Sequence, residues 1–138
     1  MTSTLNPYVS FRDNAREAME FYRGALGGDL TINTFGEYGD PEAPEANLVM
    51  HAQLETPSGF TLMGADTPPG MDFKEIGGIS ISLSGDDETE LRGYFEKLSE
   101  GGSVTMPLEK QMWGDQFGML TDPYGVSWMV NIAGGSQG

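Results

Sequence analysis

The sequence contains no cysteine and a single histidine in 138 residues. The first absence excludes disulfides, thiolate metal sites and a cysteine nucleophile, and it fits a reducing, cytoplasmic setting. The second leaves His51 as the one imidazole available for proton transfer or metal ligation. Basic residues are also scarce: 7 Lys and Arg against 21 Asp and Glu give a formal charge of −14. Such a surface repels phosphate backbones, so no nucleic acid is expected as a partner. The plainer account of the acidity is solubility, and the sharper one is an acidic groove for a cationic ligand. No apolar run approaches the length of a membrane span. The opening "MTSTLNPYVSF" has neither the basic region nor the apolar stretch of a secretory signal, so no membrane partner is expected.

What is present reads as one globular domain. Hydrophobic residues make up 38% and aromatics 10%, enough for a core, while 20 glycines and 8 prolines imply short elements joined by turns. An internal repeat organises the chain. Residues 9–32, "VSFRDNAREAMEFYRGALGGDLTI", align without a gap on 83–106, "LSGDDETELRGYFEKLSEGGSVTM", at an offset of 74. Ser10/Ser84, Asp13/Asp87, Phe21/Phe95, Gly27/Gly101, Gly28/Gly102 and Thr31/Thr105 are identical pairs. They mark the same strand end, helix, glycine stop and following strand in each half.

The spacing of Ala15, Ala18, Met19, Tyr22, Ala25 and Leu26 predicts an amphipathic helix, with Asn14 and Glu17 as a capping box and Gly27-Gly28 as its stop. Leu91, Tyr94, Phe95 and Leu98 repeat the stripe behind an Asp87 cap, ending at Gly101-Gly102. Short strands follow each helix: about 29–34, 48–55 and 61–64 in the first half, and about 104–107, 117–121 and 126–132 in the second. Each half is therefore a βαβββ module, about 6–65 and 78–132, joined by residues 65–78. The tail 133–138, "AGGSQG", reads as a flexible end.

Strand parity divides the sheet residues into two faces. Val9, Leu48, Met50, Ala52, Leu54, Ile79, Ile81, Leu83, Trp128, Val130 and Ile132 have the parity expected to pack on helices. The opposite parity carries Tyr8, Ser10, His51, Gln53, Ser80, Ser82, Ser127, Met129 and Asn131. The expected fold is α+β: two βαβββ modules forming a cupped, mostly antiparallel sheet with helices on the outer face and these polar residues lining the cup. "MWGDQFGML" (112–120) adds Met112, Trp113 and Phe117 as a candidate pocket wall, with a bend packed into the core or a subunit interface as the alternative. Residues 35–46, "FGEYGDPEAPEA", read as a solvated flap, and "TDPYG" (121–125) as a structural turn.

With these residues in view, the chain resembles the vicinal oxygen chelate superfamily of glyoxalase I, bleomycin-resistance proteins and extradiol dioxygenases. The segments "YVSFRDNAREAMEFYRGALGG", "GDPEAPEANLVMHAQLETPSGFTLMGAD" and "GGSVTMPLEKQMWGDQFGMLTDPYGVSWMVN" are similar to its PhnB-like branch, over about residues 6–132. That branch is often labelled demethylubiquinone-methyltransferase-like, yet no glycine-rich nucleotide loop follows a strand here. The resemblance implies the cup, a homodimer in some members, and four metal-ligand positions in metal-using ones. Those positions map to Pro7 or Tyr8, His51, Ser80 and Met129. Only His51 suits Mg²⁺, Mn²⁺ or Zn²⁺, so no metal and no other cofactor is expected.

His51 is accordingly a candidate general base or hydrogen-bonding group toward a ligand; the structural alternative is an imidazole satisfied by neighbouring serine or tyrosine hydroxyls. The expected function is binding of an unknown small molecule in the cup, by a homodimer, through Tyr8, Ser10, His51, Gln53, Ser80, Ser82, Met112, Trp113, Phe117, Met129 and Asn131. Three alternatives remain: sequestration of a cationic antibiotic; a lyase, isomerase or dioxygenase using His51 with substitute metal ligands; and an interaction module without a ligand.

Overall fold

A computed structural model describes residues 5–68, 70–72 and 78–134. It divides into two compact units, residues 1–75 and 76–138. The first runs β1 (Tyr8–Phe11), α1 (Ala15–Leu26), β2 (Asp29–Thr34), α2 (Phe35–Tyr38), β3 (Val49–Glu55) and β4 (Thr61–Asp66). The second runs β5 (Ile81–Gly85), α3 (Glu88–Ser99), β6 (Ser103–Lys110), β7 (Gln116–Thr121) and β8 (Ser127–Ile132). The strand orders are β1-β4-β3-β2 and β5-β8-β7-β6. In both modules the outer pair is parallel, β1 with β4 and β5 with β8, and the other pairs are antiparallel. The two βαβββ halves of the α+β fold thus share one connectivity. Among the described residues, no helix is long and apolar enough to cross a membrane.

Both helices form as their spacing dictates. The six stripe residues of α1 are all buried, as are Leu91, Tyr94, Phe95 and Leu98 of α3. α1 packs on β2, β3 and β4, and α3 on β5 to β8. Each large side chain so covered contributes about 1.5–3 kcal/mol of hydrophobic stabilisation. The Asp87 carboxylate caps α3, accepting from the Glu90 N–H at 3.0 Å.

The expected Asn14–Glu17 box does not form. Asn14 has φ −131° and ψ 20°, and its side chain makes no capping bond. The buried Asp66 takes the role from the end of β4: its Oδ1 accepts from Ala15 N at 2.9 Å and its Oδ2 from Val49 N at 2.8 Å. A carboxylate at this point satisfies an orphan donor and meets the positive end of the helix dipole.

Face parity holds along most strands and fails at the start of β3. Asn33 pairs with His51 but Thr34 pairs with Val49, so Met50 is an extra residue in a β-bulge. The bulge turns Val49 into the core at 1% exposure and leaves Leu48 and Met50 half-buried. Ile79, expected in the core, precedes β5 and is 70% exposed. The flap at 35–46 contains the short helix α2, held by a capping box between Thr34 and Glu37. Strands β4 and β6 extend beyond their expected ends, to Asp66 and Lys110. At the C-terminal end, Ala133 N donates to Gly85 O and Gly134 N to Asp115 Oδ1; the rest of the expected flexible tail, 135–138, lies outside the described residues.

The two halves also share a turn that the offset of 74 does not reach. In "TPSGF" (56–60) the Thr56 hydroxyl accepts from Phe60 N, and in "DPYGV" (122–126) the Asp122 Oδ1 accepts from Val126 N. Asp122 does more than Thr56, because its Oδ2 accepts from the indole N–H of the buried Trp128 at 2.8 Å.

Candidate functional site

α1 and α3 pack on the buried face of their sheets, and the candidate residues stand on the other face, except Met112 and Trp113, which lie in a hairpin loop. In the first module β1 presents Tyr8, and β3 presents His51, Gln53 and Glu55 at alternating positions. Tyr8 Oη lies 3.4 Å from His51 Nδ1, His51 Nε2 lies 3.4 Å from Gln53 Oε1, and Gln53 Nε2 donates to Glu55 Oε2 at 2.6 Å. The Tyr8 and His51 rings are tilted by 42° with centroids 5.7 Å apart. Met63 stands opposite both Tyr8 and Gln53 in the ladders, adding an apolar neighbour. Tyr8 is 53% exposed and His51 and Gln53 are half-buried, so the chain is reachable from solvent. Ser10, also on β1, is exposed beside Ala65.

In the second module the opening of the serine face is tied down: Ser80 Oγ and Ser127 Oγ share a hydrogen bond of 2.8 Å. Ser82 is exposed and pairs with Met129, which also faces Met119 across the antiparallel ladder. Met112, Trp113 and Gly114 form the tip of the β6–β7 hairpin, closed by Gln111 N donating to Asp115 O at 2.7 Å. Met112 is 99% and Trp113 63% exposed, and Trp113 leans toward Phe117 with ring centroids 6.4 Å apart. Phe117 pairs with Asn131, whose Nδ2 donates to Asp115 Oδ2 at 3.0 Å. Asn131 is thus engaged with the hairpin base, while Met112 projects into solvent.

Asp115 gathers that base. The bond from Asn131, then the one from Gly134 N–H, hold its carboxyl below the usual aspartate range against a small opposing effect of desolvation. A depressed folded-state pKa contributes stability above the unfolded value, near pH 4 (about 3.9), that disappears as pH falls through the folded one. In a carbon-detected titration the Asp115 midpoint is expected below that of an unstructured aspartate. Asn131→Ala should raise it, and an unmoved midpoint in that variant would remove Asn131 as the cause.

Sequence reading missed Glu55 and Asp115. Glu55 was signalled, since 51, 53 and 55 alternate on one strand; Asp115 was not, because its partners lie 16 and 19 residues away. A cavity of about 230 Å³ also lies in the first module, lined by Arg12, Asp13, Leu48, Thr67 and Met71 among others. It includes none of the candidate residues.

Comparison with known proteins agrees with the fold. Residues 4–130 match the family model of the Glyoxalase/Bleomycin resistance protein/Dioxygenase superfamily. The chain belongs to that superfamily. PA1353 from Pseudomonas aeruginosa is 41% identical, with a TM-score of 0.85 over 96% of this chain and 99% of that one. The PhnB protein from Bacillus cereus is 27% identical, with a TM-score of 0.75 over 95% and 100%. YjdN of Escherichia coli is 26% identical over 93% of this chain and 94% of its own length.

The superfamily includes metal-using members, so the four positions mapped to their ligands bear on chemistry. Tyr8 and His51 contact each other, and His51 also contacts Gln53; Ser80 is bonded to Ser127; Met129 offers a thioether. Among the described residues no group of three or more His, Asp or Glu side chains is placed to hold an ion. Taken module by module, neither an imidazole beside a hydroxyl nor a hydroxyl and a thioether fits a hard or borderline divalent cation, for which about three or four N, O⁻ or S⁻ ligands are usual.

Proposed function

We propose that this superfamily member binds a small organic molecule against the face of its first sheet opposite α1, with His51 as polar anchor and no divalent ion. The observation that supports this is the half-exposed chain Tyr8–His51–Gln53, set beside Met63 on the sheet face opposite the buried residues that pack on α1. A few convergent polar groups among apolar ones are the usual make-up of a small-molecule site. Likeness to the PhnB protein supports the branch and leaves the ligand open.

Native mass spectrometry of the purified protein should carry a co-purified organic mass. In a thermal-shift screen of aromatic amines and phenols, binders should raise the melting temperature by several degrees at concentrations near 100 Kd, where about 2.7 kcal/mol is gained. EDTA should leave the shift intact and His51→Ala should abolish it. For a cationic binder the shift should also shrink with added salt, since its attraction to this acidic chain is screened. Equal shifts in wild type and His51→Ala, or shifts that vanish with EDTA, would defeat the reading.

A further inference from the structure

We infer that Glu55, acting through Gln53, fixes His51 as its Nε2–H tautomer and makes the Tyr8 oxygen a hydrogen-bond acceptor, so that the site takes ligands bearing an N–H or O–H group. The polarity follows from which groups can donate. A carboxylate only accepts, so Gln53 must present its NH₂ to Glu55 Oε2, at 2.6 Å the shortest link in the chain. Its carbonyl Oε1 then faces His51 Nε2, and two acceptors cannot face each other, so Nε2 carries the proton. In the neutral imidazole Nδ1 is then bare, and it accepts from the Tyr8 hydroxyl. With its one proton committed inward, Tyr8 Oη turns its lone pairs outward from a side chain that is 53% exposed.

Every donor in the row points toward Glu55. Hydrogen bonds aligned in one sense polarise one another, which strengthens the outermost oxygen as an acceptor. The two links of 3.4 Å around His51 are long, leaving room to tighten when a ligand donates to Tyr8. Glu55 touches no ligand in this scheme; it is a positioning residue that determines specificity from the end of β3. The ligand class rests on the binding reading above, whereas the tautomer does not.

The single histidine makes the tautomer directly observable. Nitrogen-15 spectra of labelled protein at about pH 8.5, where a free imidazole is neutral, should show a bare Nδ1 and a protonated Nε2 at His51. In Glu55→Ala the Gln53 amide is free to flip, and the ratio of Nε2–H to Nδ1–H forms should fall about ten-fold, the value of one hydrogen bond. The swap Gln53→Glu with Glu55→Gln restores an obligate acceptor beside Nε2 and should restore the wild-type ratio. Dispersed amide signals report that each variant is folded, and a purely structural Glu55 would leave the ratio unchanged. A wild-type Nδ1–H form, or a ratio indifferent to Glu55→Ala, overturns the relay.

Phenol and anisole then test the ligand class, because they share a ring and an oxygen but only phenol carries a donor. Phenol should shift the His51 ring signals at about ten-fold lower concentration than anisole, and Tyr8→Phe should erase the difference. Equal response to both, or to neither, overturns the assigned class while leaving the tautomer result and the thermal-shift screen to be judged separately.

Discussion

Replacing Asp66 by alanine is expected to lower the free energy of unfolding by about 2–6 kcal/mol, since two buried backbone N–H groups lose their acceptor at about 1–3 kcal/mol each. Those groups belong to Ala15, at the start of α1, and Val49, beside the bulge in β3. Both residues are essentially inaccessible to water, at 0% and 1% exposure, so solvent cannot substitute. Asp66→Asn keeps one acceptor oxygen and should lie between alanine and wild type. Asn14→Ala is the informative control. Asn14 occupies the capping position by sequence but makes no capping bond, so its loss should cost less than about 0.5 kcal/mol. Urea unfolding with an unchanged slope would measure all three. If Asn14→Ala proved as damaging as Asp66→Ala, the assignment of the cap to a strand 51 residues away would be wrong.

That comparison also marks where sequence reading reaches its limit. Periodicity and repeat offset placed α1 and α3 and every buried residue of their stripes, because a helix records its own packing face at three- and four-residue intervals. Parity separated the two faces of most strands for the same local reason. It failed at Leu48 and Met50 because a bulge inserts one residue and reverses the alternation, and nothing in "NLVMHA" announces which residue is extra. The Asp13/Asp87 identity was equally deceptive. Asp87 caps α3, whereas Asp13 sits at φ 66° and the cap of its module comes from Asp66.

The candidate site divides along the same line. His51 and Gln53 were legible as alternate residues of one strand, and Tyr8 as their counterpart in parity. Their joining into one row depends on β1 pairing with β4 in parallel and β4 with β3, which brings Tyr8 to His51 from 43 positions away. The second-module candidates were legible individually but not in their partnerships. Ser80 bonds to Ser127 and Asn131 to Asp115; parity had placed Ser127 on the same face without marking its bond, and it had not marked Asp115.

Four alanine substitutions at glycine should split into two pairs of opposite sign. Gly28 and Gly102 are repeat-mates that follow α1 and α3, and a Cβ at either would stand 2.2 Å from Glu55 O or 2.1 Å from Thr121 O. Both obstacles are main-chain atoms of a neighbouring strand, which cannot rotate aside as a side chain can. Overpacking of this kind costs about 1–3 kcal/mol, occasionally more. Gly28 adds a φ of +107°, strained by a further ~1–3 kcal/mol in any L-residue, so Gly28→Ala should be the worse of the two. Gly24 in α1 and Gly93 in α3 have nothing within 4 Å of the point where an alanine methyl would stand, and in a helix interior alanine is favoured over glycine. Gly24→Ala and Gly93→Ala should therefore stabilise by about 0.5–1 kcal/mol. The Gly28/Gly102 identity at an offset of 74 is then a steric requirement imposed twice by one module design, each helix leaving its last turn directly beneath a strand carbonyl. A tolerated Gly102→Ala would break that equivalence, and with it the claim that the paired glycines survive for packing.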